Sequence, residues 1–469
     1  MTTSTAFPDP MVFDPHYLRL KDHLIESTGL AYYSDKDADL AGRIRRRFSK
    51  IGLHDCISYL DFLTNSENGQ TELDELIAEL TIGETYFFRY REQFEALRTT
   101  VLPGIIARNQ HSRRLHVWSA GCATGAEAYS VAILLSRELS QHIQGWDISI
   151  VGTDINRAFL ARARDGRFDE WAFRSTPDEV RHACFHQSGN SWVINPEYKR
   201  RVAFQYHNLV KHPFPSLVNN LCCFDLILCR NAMIYFSRDI MRKLIAQFHQ
   251  SLVEGGWLLV GHAEPNTELF QSFGTVNVPG ATLYQKTERS AYSNGTRDVE
   301  LYPPMILDLA APNGVALPTL LEPPAKHMPV AISIPPAAPT LSDVRLLADQ
   351  REWADAARCS RKLLETDALN PRAHFYYALV LEQMGRHVEG EQSLRKTIYL
   401  DRSFVLAHYY LGLILQTRGE RRAAVRSFEN ARALLRNLDA GQIFADANEL
   451  TASDLMSLAE THLEVLQRR

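Results

Sequence analysis

Ten of the chain's 21 prolines fall between Ser290 and Thr340, among them Pro303-Pro304, Pro323-Pro324 and Pro335-Pro336. A stretch so short of backbone donors cannot run through a helix or a sheet. It reads as an extended linker, and the residues before it must fold separately from the residues after it. At roughly 150 residues per domain, the 469 residues suggest about three domains.

The chain is 45% hydrophobic and 23% charged, enough apolar material for a sizeable core, which excludes wholesale disorder. A net charge of −4 argues against a general binder of nucleic acid or membrane surfaces. No apolar run approaches the roughly 20 residues of a membrane span. The N-terminus, MTTSTAFPDPMVFDPHYL, lacks the basic stretch and apolar core of a secretory signal. Cys56, Cys122, Cys184, Cys222, Cys223, Cys229 and Cys359 are odd in number and contain no CxxC pair, so buried thiols in a reducing compartment are expected. The expectation is a soluble, cytoplasmic, multidomain protein with no metal site.

Behind the linker the sequence repeats. Ala373-His374-Phe375-Tyr376-Tyr377-Ala378-Leu379 aligns with Ala407-His408-Tyr409-Tyr410-Leu411-Gly412-Leu413 at an offset of 34 residues. The same offset carries Leu381 to Leu415, Gly385 to Gly419, Gly390 to Ala424 and Leu394 to Phe428. Helix pairs of that period, with small residues at their crossings, resemble tetratricopeptide repeats, and Leu341 to Asp367 fits as a degenerate first unit. Such a scaffold binds proteins without naming the ligand.

The first 100 residues read as helical. Ser34 to Asp37 has the form of a capping box, Gly52 is placed to end the helix, and Leu40, Ile44, Phe48 and Ile51 form its apolar stripe. Arg43, Arg45, Arg46, Arg47 and Lys50 crowd the other faces. A solvated face and a docking surface for an acidic partner are both open readings.

From Leu115 onward short apolar strands alternate with helical pattern, which predicts an α/β domain built on a mostly parallel sheet. Ser191 to Ile194 and Arg201 to Gln205 look like strands with no helix between them, so an antiparallel insert or extra strands is expected over about 185–204. The first strand runs into Ser119-Ala120-Gly121-Cys122-Ala123-Thr124-Gly125-Ala126-Glu127, where two glycines let the backbone approach a ligand. Asp154 ends the second strand, where a carboxylate faces the crevice and accepts from ribose hydroxyls. The dinucleotide GxGxxG pattern is absent. A glycine turn and an acid leave methyltransferase and dehydrogenase open.

Three further segments decide between them: Gly83-Glu84-Thr85-Tyr86-Phe87-Phe88-Arg89, Cys229-Arg230-Asn231-Ala232-Met233-Ile234-Tyr235-Phe236, and Glu254-Gly255-Gly256-Trp257-Leu258-Leu259-Val260-Gly261. With WSAGCATGAEAYS and GTDIN, they resemble the CheR family of chemoreceptor glutamate O-methyltransferases over about residues 15–286. With the repeats, the whole chain is similar to the variant of that family in Wsp-type surface-sensing systems, which function in biofilm signalling.

The resemblance implies a Rossmann-like fold and S-adenosylmethionine as cofactor. It places Thr85 and Arg89 near the methionine end, Glu127 at the ammonium, Asp154 at the ribose, Asn208-Leu209 beside the adenine and Arg230-Asn231 beneath the cofactor. Gly121 belongs to the glycine turn. Gly83 stands where the family often has Asn, so a side-chain contact is lost there. Arg89 and Tyr235 match residues that position the substrate carboxylate. A helical domain (1–90) is expected to dock on a methyl-accepting chemoreceptor through Arg43, Arg46, Arg47 and Lys50. The methyltransferase domain spans 91–286, the linker 287–340 and the repeats 341–469, which bind a further, unnamed protein. The rival reading is an inactive adaptor that works through its repeats.

Overall fold

The computed structural model describes residues 9–287, 339–447 and 450–467, so the proline-rich stretch lies outside the described residues except for its last two. Among the described residues ten strands follow one another: β1 Arg114–Ala120, β2 Asp147–Asp154, β3 Arg167–Phe168, β4 Phe185–Ser188, β5 Ser191–Ile194, β6 Val202–Tyr206, β7 Phe224–Cys229, β8 Leu252–Val260, β9 Gly274–Val278 and β10 Ala281–Gln285. Seven form one sheet in the order β6-β2-β1-β7-β8-β10-β9. The first five run parallel, and β10 and β9 close the edge antiparallel. This is the mostly parallel α/β sheet the alternating pattern predicts, and the Rossmann-like fold the family resemblance implies.

Every residue of β7 is buried, as expected of a strand covered on both faces. Its one charge, Asp225, accepts from Arg108, the Asn109 side-chain amide and the His116 N–H, so burial leaves no bare carboxylate. The chain turns from β1 to β2 on one side and from β7 to β8 on the other. The order therefore reverses between β1 and β7, where a doubly wound sheet opens its binding crevice.

The expected insert divides between two sheets. β4 and β5 join β3 in a separate antiparallel sheet, in the order β3-β5-β4. Val202–Tyr206 instead pairs in parallel with β2 and forms an edge of the main sheet. The two apolar runs look alike locally, and only their long-range partners separate them.

Helices Tyr17–Thr28, Asp37–Ile51, Cys56–Asn65 and Gly69–Leu80 surround a core of their own that includes Tyr17, Leu20, Leu40, Ile44, Tyr59 and Leu76. The capping box does not form. The second helix begins at Asp37 without a side-chain cap, and the Asp37 carboxylate accepts from Lys21 and Tyr17 of the preceding helix. Gly52 does end that helix, at φ 73°.

In the C-terminal portion, Pro371–Gln383 and Val405–Thr417 start 34 residues apart, and Trp353–Thr366, His387–Leu400 and Arg421–Leu435 start at two further 34-residue steps. Leu341–Asp349 completes the short first pair, and Ala452–Gln467 comes after the last. A Cβ on Gly412 would meet the Phe428 ring at 2.7 Å, so the small residue is required where those helices cross. Among the described residues no helix is long and apolar enough to cross a membrane.

Candidate functional site

The C-terminal ends of β1, β2 and β7 converge on a cavity lined by Gly121, Ala123, Asp154, Asn208, Leu209, Asn231 and Tyr235. All but Ala123 are candidates read from the sequence. Gly121, at φ 75°, crosses so close to the β7 loop that a Cβ would sit 2.9 Å from that of Ala232.

Asp154 is 9% exposed. Its Oδ2 accepts from the Ala123 N–H at 2.8 Å and its Oδ1 from the Asn156 N–H at 2.8 Å. Burial pushes the carboxyl up to about 6, against the pull of these backbone donors. Two bonds leave acceptor capacity for a pair of hydroxyls. Because the ionised form accepts them, affinity for a ribose-bearing ligand is expected to fall as pH drops through about 6. Calorimetric titration between pH 7.5 and 5 should show about a tenfold loss per pH unit at the acid end.

Asn208 is placed beside the cavity, but its side chain serves the backbone. Its Oδ1 accepts from the N–H groups of Val210 and Lys211, and its Nδ2 donates to the Ser27 carbonyl of the N-terminal helices. It holds the loop bearing Leu209 rather than offering a free amide.

A buried polar cluster adjoins the cavity. Glu127 accepts from the Ser119 hydroxyl at 2.6 Å and from Arg230 at 3.2 Å, and Arg230 also donates to the Arg89 carbonyl. The Arg89 guanidinium lies 5.5 Å from the Tyr86 ring centroid and 5.1 Å from that of Tyr90, with one Nη on the Glu84 carbonyl at 2.7 Å. Arg89 Nε and Asn231 Oδ1 are buried without a hydrogen-bond partner. Burial raises the Tyr235 hydroxyl, and the Arg89 charge pulls it back. Thr85 is half-buried in the segment between the Gly69–Leu80 helix and Arg89.

Gly83 is filled from the side. A Cβ there would lie 2.4 Å from Phe159 Cζ, and Phe159 lines the cavity. An aromatic ring thus stands where an Asn side chain would project. Gly83→Asn is expected to cost about 1–3 kcal/mol through overpacking, and adding Phe159→Ala should recover most of the lost melting temperature.

Other residues of the site were not singled out by the sequence, and the aromatic wall carries no local pattern that could have done so. Tyr32, Tyr33 and Thr81 supply a wall of the cavity from the N-terminal helices, and Tyr32 meets Tyr235 edge-on at 5.7 Å. Glu264, behind β8, accepts from the N–H groups of Gly261, Asn231 and Ile234 and so pins the turn that carries Asn231 and Tyr235. For Glu264 a signal did exist: the acid in Gly261-His262-Ala263-Glu264, at the end of a central strand.

The expected docking residues have unequal standing. Arg47 is 5% exposed and bonds Glu72 at 2.6 Å and Glu75 at 3.1 Å, so it is removed from the proposed surface. Arg43 pairs with Asp39 and donates to the Glu79 carbonyl. Arg46 and Lys50 both pair with Glu79, and their side chains remain more than half exposed.

The donor set suits S-adenosylmethionine: a buried carboxylate for the ribose, an apolar aromatic flank, and unpartnered Asn231 and Arg89 atoms toward the polar end. Among the described residues no group of His, Cys, Asp and Glu could hold a metal ion.

Residues 83–280 match the family model described as CheR methyltransferase, SAM binding domain. The chemotaxis protein methyltransferase of Listeria monocytogenes is 31% identical over 220 residues, 47% of this chain and 79% of the relative. That of Borreliella burgdorferi is 29% identical, over 52% and 86%. Chemotaxis protein methyltransferase 2 of Vibrio cholerae is 27% identical, over 60% and 95%. The Yersinia enterocolitica type III secretion translocator chaperone SycD covers 27% of this chain and 80% of its own at 16% identity and a TM-score of 0.24, too slight a likeness to carry an argument.

Proposed function

The chain belongs to the CheR family of chemotaxis protein methyltransferases, and on that premise we propose that it esterifies glutamate side chains on methyl-accepting chemoreceptor-type proteins. S-adenosylmethionine, when bound, supplies a methyl carbon activated by its sulfonium. The accepting glutamate, with a pKa of about 4.3, is already ionised at neutral pH. The chain therefore needs no general base and has to orient the carboxylate.

Arg89 and Tyr235 are the residues proposed for that task. The observation that carries the reading is the buried, unpartnered Arg89 Nε beside the cavity that Tyr235 lines. Arg89 attracts the carboxylate, and the Tyr235 hydroxyl donates a hydrogen bond to it. Contact through the oxygen that does not attack leaves the other nucleophilic. Asp154 holds the ribose and Glu127, already shared with Arg230, faces the ammonium. Tyr32 and Tyr33 wall the site on the N-terminal side.

Docking is assigned to Arg46 and Lys50, with Arg43 at the margin, on an acidic helical receptor segment. The proposed partition is a docking domain to residue 90, a methyltransferase domain to 286, and a repeat domain from 341.

Transfer of labelled methyl to receptor cytoplasmic fragments tests this. Base-labile label is expected, and Tyr235→Phe should lower kcat by about tenfold while S-adenosylmethionine affinity stays within about twofold. Tight cofactor binding with no label on any receptor fragment would overturn the substrate assignment and favour the adaptor.

A further inference from the structure

Tetratricopeptide-type scaffolds take their ligands on the concave face lined by the first helix of each pair. In this chain that face is turned inward. A cavity of about 470 Å³ is bounded on the repeat side by Pro371–Gln383, Val405–Thr417 and the terminal helix Ala452–Gln467, with no residue from the second helices of the pairs. Its opposite wall is the methyltransferase domain, from β1, β2 and β6 to the loop ahead of β7.

That loop enters the groove. Leu217, Val218 and Cys222 are buried in one apolar cluster with Tyr376, Leu379, Leu406 and Tyr409. The Tyr410 hydroxyl donates to the Val218 carbonyl, and the Leu217 N–H donates to Asp349 at 3.1 Å. Arg351 donates to the Leu252 carbonyl at 2.6 Å. The first two bonds satisfy loop backbone groups with repeat side chains, as a bound peptide would be held, and the third ties the start of β8 to the repeats.

A second set of contacts lies at the cofactor side. Asp454, 3% exposed on the terminal helix, accepts with both oxygens from Arg157, at 3.0 and 3.1 Å. Arg157 also pairs with Asp74 of the N-terminal helices at 3.0 Å and covers the Tyr206 ring at 3.9 Å. It opens the helix whose N-cap is Asn156, and the Asn156 N–H is one of the backbone donors fixing Asp154.

We infer that the concave face of the repeats is an intramolecular interface whose occupant is this chain's own segment Ser216–Cys223, and that Asp454 is a positioning residue for the cofactor pocket, acting through Arg157. An outside ligand of the repeats then binds the outer face or competes with this segment. The cofactor half rests on the proposed ribose role of Asp154; the seating of the loop does not.

The full chain with a protease site placed between residues 290 and 335 provides the test. After cleavage the two halves are expected to co-elute in gel filtration, and Tyr410→Phe combined with Val218→Asp to separate them. Elution of the parent halves as separate species would overturn the interface. Calorimetry on the uncleaved chain tests the positioning: Asp454→Ala is expected to weaken S-adenosylmethionine binding roughly fivefold, and Asp454→Glu to restore it. Equal affinity in all three, with the halves still associated, would overturn the role of Asp454 and leave the interface standing.

Discussion

Asp154→Ala is expected to weaken S-adenosylmethionine binding by about a hundredfold, the cost of removing a buried acceptor shared by two hydroxyls. The variant should fold well. Burial holds the Asp154 carboxyl at about 6, above its ordinary 3.8, so the folded chain binds the proton more readily than the unfolded one. The associated stability is fully present below 3.8 and is lost as pH rises through about 6. At neutral pH the ionised carboxylate therefore costs the free protein stability, and alanine relieves that cost while leaving the Ala123 and Asn156 N–H groups without their acceptor. Affinity should collapse while the melting temperature at pH 7 moves little, the two effects being opposed and of similar size, and the acid dependence of binding should disappear. Lost affinity that follows only from a large drop in melting temperature, and that returns when binding is measured well below that temperature, would mark Asp154 as structural. Unchanged affinity would remove it from the site.

The alternation of buried strands and helices, the Gly121 turn, Asp154 and the 34-residue period are all legible in the sequence because each is a local pattern imposed by one element. Asp154 needs only its place at the end of a strand. The walls of the cavity are less legible. Tyr32 and Tyr33 belong to a different core from the sheet, and they reach the pocket only because the N-terminal helices dock over it. Gly83 reads alone as a lost contact, and its complement, Phe159, lies 76 positions away. Val202–Tyr206 reads as part of the insert for the same reason: nothing within a strand names its neighbour. The inward turn of the repeats is likewise a property of two domains together.

Arg47 carries a signal of a different kind, present in the sequence but masked by the run of basic residues around it. Leu40, Ile44, Arg47 and Ile51 keep the spacing of one helical face, so the arginine falls on the apolar stripe. Its Nε and Nη2 bond both oxygens of Glu72, at 2.9 and 2.6 Å, and Tyr59 donates to the same carboxylate at 2.7 Å. Glu72 itself is 5% exposed. Arg47→Ala leaves that carboxylate buried with only a phenol for company, and a loss of about 3–5 kcal/mol is expected. Hydrogen exchange should show Asp37–Ile51 and Gly69–Leu80 losing protection together. The double variant Arg47→Met, Glu72→Leu removes both charges and should recover most of the protection, since an apolar pair of similar volume replaces a buried ion pair at little cost. Arg46→Ala, by contrast, breaks one exposed pair with Glu79 and should shift stability by less than about 1 kcal/mol. If receptor docking runs through this helix, Arg46→Ala raises KM for the receptor fragment on an intact fold, whereas Arg47→Ala lowers activity only as far as it unfolds the helices. A loss of receptor affinity in Arg47→Ala with exchange protection unchanged would return that residue to the docking surface.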